Sequence, residues 1–279
     1  MTPGLRARAS VAVMIAAAVG VFAAACAPAP VPAPRPAYVL VFADEFDGTA
    51  ADPAVWATAP FGGSLAPSVG GGALTLRSTA ANAYRWGYLA STGPRRAGEP
   101  SYPDARAFRE GYVEARLRYT DDPWAWPAFW LFSMAKTEAW PGEDCRSLNA
   151  ELDVMENGVE NADGSRPASS WYFGNLHRNT GDGTADGYCG TPDSMRPLSR
   201  PVPGVNLSDW HVWAGRWTAD EVCTYLDGVE LGCVPTYDST AQPMHLTFTI
   251  QYLPACAGCG ARPRELRLQV DWARVWQLR

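Results

Sequence analysis

From Tyr38 to the C-terminus the chain consists of short runs in which apolar and polar residues alternate, and this pattern decides what it can fold into. YVLVFAD (38–44), LTLRST (74–79), GYVEARLRYT (111–120), HVWAGRW (211–217) and MHLTFTI (244–250) all keep period two, and ELRLQVDWARVWQL closes the chain likewise. Side chains on a strand change face at every residue, so each run can bury one face and wet the other. Gly, Pro, Asp and Ser punctuate the stretches between, and nothing suggests a helix longer than about two turns. Many short strands with turns between them predict an all-β chain of two stacked antiparallel sheets. Neither a compositional break nor an internal repeat follows residue 38, so one domain is expected over residues 38–279.

The first 37 residues obey another logic. Arg6 and Arg8 make a basic start, and Val11 to Ala25 is an apolar run, ending in small residues, that is short for a bilayer span. A secretory signal over 1–25 is expected. Cys26 follows Ala23-Ala24-Ala25, which suits lipoprotein processing with Cys26 acylated; the usual Leu three residues ahead is absent, so cleavage by the ordinary signal peptidase is the rival. APAPVPAPRPA then reads as an extended tether completing the segment 26–37. The expectation is an exported chain held at the cell surface by a lipid on Cys26, rather than a freely secreted one.

Six cysteines remain, an even number in an exported chain, so disulfides are the default. Cys223 and Cys233 flank Asp227-Gly228 and suit a cross-strand bridge in one hairpin. Cys256 and Cys259 can close a small loop, which leaves Cys145 for Cys189. A zinc site would need partners for the lone Cys-x-x-Cys and is disfavoured in that setting. The net charge of −6 argues against nucleic acid or an anionic polymer as partner.

The chemistry concentrates in AELDVMENG, residues 150–158. Regular alternation puts Glu151 and Asp153 on one face and Glu156 on the other. One extra residue taken up as a β-bulge after Asp153 brings Glu156 back beside them. The outer two Cα atoms are then about 13 Å apart, and glutamates leaning together approach the roughly 5–5.5 Å carboxyl separation of a retaining glycosidase. The same acids could equally be a solvated face or calcium ligands. Upstream, Trp126-Pro127-Ala128-Phe129-Trp130 enters an apolar strand, where Pro127 needs an edge or a bulge. Trp126 is the first candidate for a sugar-stacking platform, and Trp130 divides between platform and core. His177 could hydrogen-bond Glu156 or a sugar hydroxyl, or be satisfied within the sheet. His211 and His245 sit among apolar neighbours and read as structural.

AELDVMENG, the WPAFWLF about twenty residues before it and the opening VFADEFDG together resemble glycoside hydrolase family 16. GYVEARL and VDWARVWQL resemble further strands of that family, so the likeness runs from about residue 38 to the end. It implies a concanavalin-like β-jelly-roll sandwich of two curved antiparallel sheets, with substrate in a cleft across the concave one. It implies Glu151 as nucleophile, Glu156 as general acid/base and Asp153 between them as the tuning residue. The spacing is the bulged form typical of laminarinase-like members, not that of lichenases and plant xyloglucan enzymes. The family also suggests a structural calcium, with Asp271 or Glu45 as ligand, and catalysis that requires no cofactor. Ala150 replaces a Gly often found before the first Glu, and the link EAWPGEDCRSLNA is long; both leave the sugar open. The expected activity is retaining, endo-acting hydrolysis of a β-linked polysaccharide by a monomer, with β-1,3-glucan the leading substrate. Exopolysaccharide trimming, transglycosylation and a non-catalytic carbohydrate-binding jelly roll are the alternatives.

Overall fold

A computed structural model describes residues 38–56, 65–82, 87–90, 107–133, 150–178, 194–237 and 243–279. The strands are β1 (Tyr38–Asp44), β2 (Ser68–Val69), β3 (Leu74–Thr79), β4 (Gly87–Ala90) and β5 (Ala107–Phe108). Then come β6 (Gly111–Tyr119), β7 (Ala125–Ser133), β8 (Ala150–Met155), β9 (Trp171–Arg178) and β10 (Ser194–Pro201). The last five are β11 (His211–Trp217), β12 (Glu221–Leu226), β13 (Val229–Pro235), β14 (Met244–Tyr252) and β15 (Glu265–Leu278). Among the described residues the one helical piece is a single turn, Ala80–Asn82.

Two antiparallel sheets result. The eight-stranded sheet runs β13-β12-β11-β6-β15-β3-β2, with β1 also on β15; the seven-stranded sheet runs β10-β9-β8-β7-β14-β4, with β5 also on β14. The two stacked antiparallel sheets expected from alternation are found, and with them the β-jelly-roll sandwich that the family resemblance implies. Between the sheets, Leu76, Val113, Leu117 and Leu268 from one side meet Leu131, Leu152, Leu176 and Phe248 from the other, all buried. A fully buried side chain of this kind contributes roughly 1.5–3 kcal/mol, so the interdigitated faces are what hold the layers together.

β14 departs from the simple reading. MHLTFTI predicts one wet face, yet every residue of β14 is buried. Its apolar residues enter the core, while His245, Thr247, Thr249 and Gln251 are buried on the opposite face. Pro127 departs too: β7 is interior to its sheet, not an edge. Its pairing with β8 covers only Phe129 to Phe132, so Pro127 lies past the end of that ladder and no donor is missed there.

The Cys223–Cys233 hairpin forms as its spacing predicts. Leu226 pairs with Val229 across Asp227 and Gly228, whose φ values of 49° and 79° make the left-handed two-residue turn that Asp-Gly favours. Cys223 stands directly opposite Cys233 and is bonded to it, and Cys256 is bonded to Cys259. Cys145, Cys189, Cys26, the leader and the tether lie outside the described residues.

Candidate active site

The register between β7 and β8 contains the expected irregularity. Phe132 faces Glu151, Leu131 faces Leu152 and Trp130 faces Asp153, but the next pair is Phe129 with Met155. Val154 is the extra residue. The local cause is legible: Leu152, Val154 and Met155 are all apolar and all reach the core. Two consecutive inward residues reset the alternation, so Glu156 emerges on the face of Glu151 and Asp153. Its N–H still donates to the Phe173 carbonyl at 2.8 Å, which keeps it tied to β9.

Across β9, His177 faces Glu151 and Asn175 faces Asp153. One ligand-type atom from each of Glu151, Asp153 and His177 lies within 4.8 Å of the others. His177 Nε2 is 3.0 Å from Asp153 Oδ2, and the Asn175 side-chain amide is 2.6 Å from the same nitrogen. The imidazole therefore engages the middle acid, whereas the sequence suggested Glu156 or a sugar hydroxyl. The Trp126 indole N–H donates to Glu156 Oε1 at 3.1 Å.

Electrostatics separate the acids. Burial first, then the charges of Asp153 and Glu151, push the Glu156 carboxyl well above the usual carboxylate range, while His177 and the Trp126 N–H act the other way. A carboxyl so placed keeps its proton near neutrality and has a donor role open to it.

Trp126 is half-buried, as a stacking platform requires, and its bond to Glu156 is a role the sequence did not suggest. Trp130 is buried and meets Phe132 edge-on at 5.4 Å, forming with it and Ala128 a small apolar cluster on the acid-bearing face. Its indole N–H has no hydrogen-bond partner among the described residues. His211 is structural, held between the Asp227 carboxylate at 2.7 Å and the Asn206 carbonyl at 3.0 Å. His245 is fully buried against Phe132.

The two calcium candidates are engaged by guanidinium groups. Asp271 binds Arg116 at 2.6 Å, and Glu45 accepts two bonds from Arg274 at 3.0 and 3.1 Å. Neither belongs to a group of three or more metal-type ligands among the described residues, and calcium takes six to eight oxygens. The donor set at these two positions does not suit that ion.

Asn157 carries a task that sequence reading missed. Fully buried directly after Glu156, it accepts from Phe173 N at 3.0 Å and donates to the Tyr119 hydroxyl at 2.8 Å, fixing the exit from the acid ribbon. Its position in ENG was the available signal, because a buried amide must be satisfied on both ends.

No protein-family model matches the chain. It is similar to the endo-1,3-1,4-β-glycanase ExsH of Rhizobium meliloti (strain 1021), 24% identical over 174 residues, covering 60% of this chain and 30% of that protein. The chain thus matches less than a third of the length of the curated relatives it resembles. Among solved structures it is similar to the catalytic domain of an endo-1,3-β-glucanase (laminarinase) from Thermotoga petrophila RKU-1, with TM-score 0.61 and 16% identity over 87% of this chain and 98% of that one. It is also similar to SCLam, a non-specific endo-β-1,3(4)-glucanase from family GH16, with TM-score 0.61 and 18% identity over 91% of this chain and 95% of that one. These likenesses support the resemblance to glycoside hydrolase family 16 and show that the sandwich is a fold shared with its enzymes.

Proposed function

We propose that this chain, folded as the family 16 glucanases are, is a retaining endo-acting glycoside hydrolase that cleaves β-linked glucan. The observation that carries the reading is the bulge at Val154, which sets Glu156 on the face of Glu151 and Asp153. Glu151 attacks the anomeric carbon while Glu156 gives its proton to the departing glycosidic oxygen, leaving a sugar esterified to Glu151. Glu156, now a base, takes a proton from water, and the oxygen of that water displaces Glu151. Asp153 stands between them on the same face, with the His177 imidazole 3.0 Å from its carboxyl oxygen. Trp126 combines two tasks, hydrogen-bonding Glu156 and offering a ring to the sugar. Trp130 has a different part, packing against Phe132 and Ala128 on the acid-bearing face.

A β-1,3-glucan is the proposed substrate, with mixed β-1,3-1,4 linkages next. The curated relatives are named for the mixed linkage and the laminarinase neighbour for the first. Glu156→Gln is expected to lower kcat on laminarin by roughly 10²–10⁴-fold, and Glu151→Gln at least as much, with oligosaccharide binding retained in both. Near-native turnover by either variant would sink the assignment. A binding module without catalysis would show the reverse, saturable laminarin binding by the wild type with no release of reducing ends. We further infer an exported monomer anchored through Cys26, supported by the leader and tether of the sequence.

A further inference from the structure

The extra residue of the bulge is held from the neighbouring strand β9, with support from the opposite sheet. The Val154 carbonyl oxygen lies 3.1 Å from the Tyr172 hydroxyl, which lies 2.7 Å from Thr224 Oγ1. A carbonyl only accepts and a phenol carries one proton, so Tyr172 donates to Val154 and the Thr224 hydroxyl donates to Tyr172. Tyr172 and Thr224 are fully buried, and Thr224 belongs to β12 in the eight-stranded sheet. The relay therefore crosses the whole sandwich. The Tyr172 ring is fixed by stacking on Trp213, with centroids 5.7 Å apart and planes at 21°. Burial drives ionisation of the phenol upward, so the donor proton stays in place across the working range of pH.

Two glycines make the arrangement possible. A Cβ on Gly174 would stand 2.1 Å from the Tyr172 hydroxyl, and one on Gly215 would stand 2.8 Å from Val154 Cγ2. Carbonyl and side chain of one residue thus each have a reserved slot. A bulge leaves its extra residue without a place in the ladder, and Tyr172 supplies the donor to that residue's carbonyl.

We propose that Tyr172, backed by Thr224, is a positioning residue that keeps the Val154 bulge closed and so sets where Glu156 stands relative to Glu151 and Asp153. The inference rests on the hydrolase reading for its catalytic meaning and for the kcat readout, but not for the titration readout of its test. Tyr172→Phe removes one hydroxyl and is expected to lower kcat on laminarin by roughly tenfold to a hundredfold, with KM nearly unchanged, and to move the alkaline limb of the kcat profile downward. The Glu156 titration midpoint, followed by carboxyl carbon NMR in the same variant, is expected to fall as its acid neighbours recede. Thr224→Val should move both readouts in the same direction by less, and Thr224→Ser, which returns a hydroxyl, should recover most of that loss. Should Tyr172→Phe misfold, the Thr224 pair decides alone. An unchanged midpoint with unchanged kcat in Tyr172→Phe, or Thr224→Ser behaving as Thr224→Val does, overturns the proposal. A wild-type protein inert on laminarin and mixed-linkage glucan would defeat the hydrolase reading, while the NMR midpoint would still decide the positioning role.

Discussion

At the scale of single residues, two side chains make the electrostatics testable. The Trp126 N–H favours the charged form of Glu156, so removing it must raise the Glu156 pKa further. Trp126→Phe keeps a ring for the sugar and is expected to lower kcat/KM by about tenfold, while the alkaline limb of its pH profile moves up. A limb that moves down would show that burial, not this bond, governs the acid. Glu114 is the second case, far from the acids and used by no step. It is buried on β6 beside Tyr112, with Arg274 at 4.0 Å, and burial lifts its carboxyl from 4.5 to about 7. Its contribution to stability is full below about pH 4.5 and is lost as pH rises through about 7. Glu114→Gln should therefore stabilise the fold at neutral pH, by at most about 3 kcal/mol at ~1.4 kcal/mol per unit, and flatten the denaturant midpoint between pH 5 and pH 7.5 or so.

At the scale of elements, the β12–β13 hairpin and the β8 ribbon show what alternation can and cannot reveal. Asp227-Gly228 with cysteines on both sides specified turn and bridge, both local properties of a dozen residues or so. The register shift between Thr224 and Tyr225 that sets Cys223 opposite Cys233 was not specified by the turn. The bridge closes a loop with sequence separation 10, so Cys223→Ser with Cys233→Ser is expected to cost about 2–3 kcal/mol in urea unfolding. The acid ribbon was legible for the same reason: three acids interleaved with Leu152, Val154 and Met155 permit one facing only if a residue is taken up. What holds that facing was not legible. Tyr172 and Thr224 are 52 residues apart in sequence, and nothing local in WYFGNLHR or CTYL says that two hydroxyls meet. Glu114 likewise reads as a wet position in GYVEARLRYT, but β6 is an interior strand, and Tyr112 and Arg274 flank it on the outer face. Gly215→Ala probes the ribbon from the other side. Its methyl would press on Val154 and is expected to cost about 1–3 kcal/mol by overpacking, with a loss of kcat that exceeds the change in KM.

At the scale of the whole molecule, the sandwich separates support from chemistry. The eight-stranded sheet contributes Thr224 and the Gly215 slot, while every proposed catalytic and sugar-facing side chain comes from the seven-stranded one or, for Glu156, from the residue that follows β8. The proposed anchoring belongs to this scale as well: Cys26→Ser is expected to abolish incorporation of labelled palmitate and to move the protein out of the membrane fraction. Persistence of label in that variant would mean another attachment site. The arithmetic of the acid ribbon carries one more consequence. Two residues separate Asp153 from Glu156, and one of them is absorbed by the irregularity at Val154. Losing a codon there, or gaining one, would leave an even number of steps between Asp153 and the last acid, so either change yields an unbroken pleat in which the acids still share a face. The facing of the acids is thus indifferent to the sign of a one-residue length change at this spot, and what such a change removes is the irregularity itself.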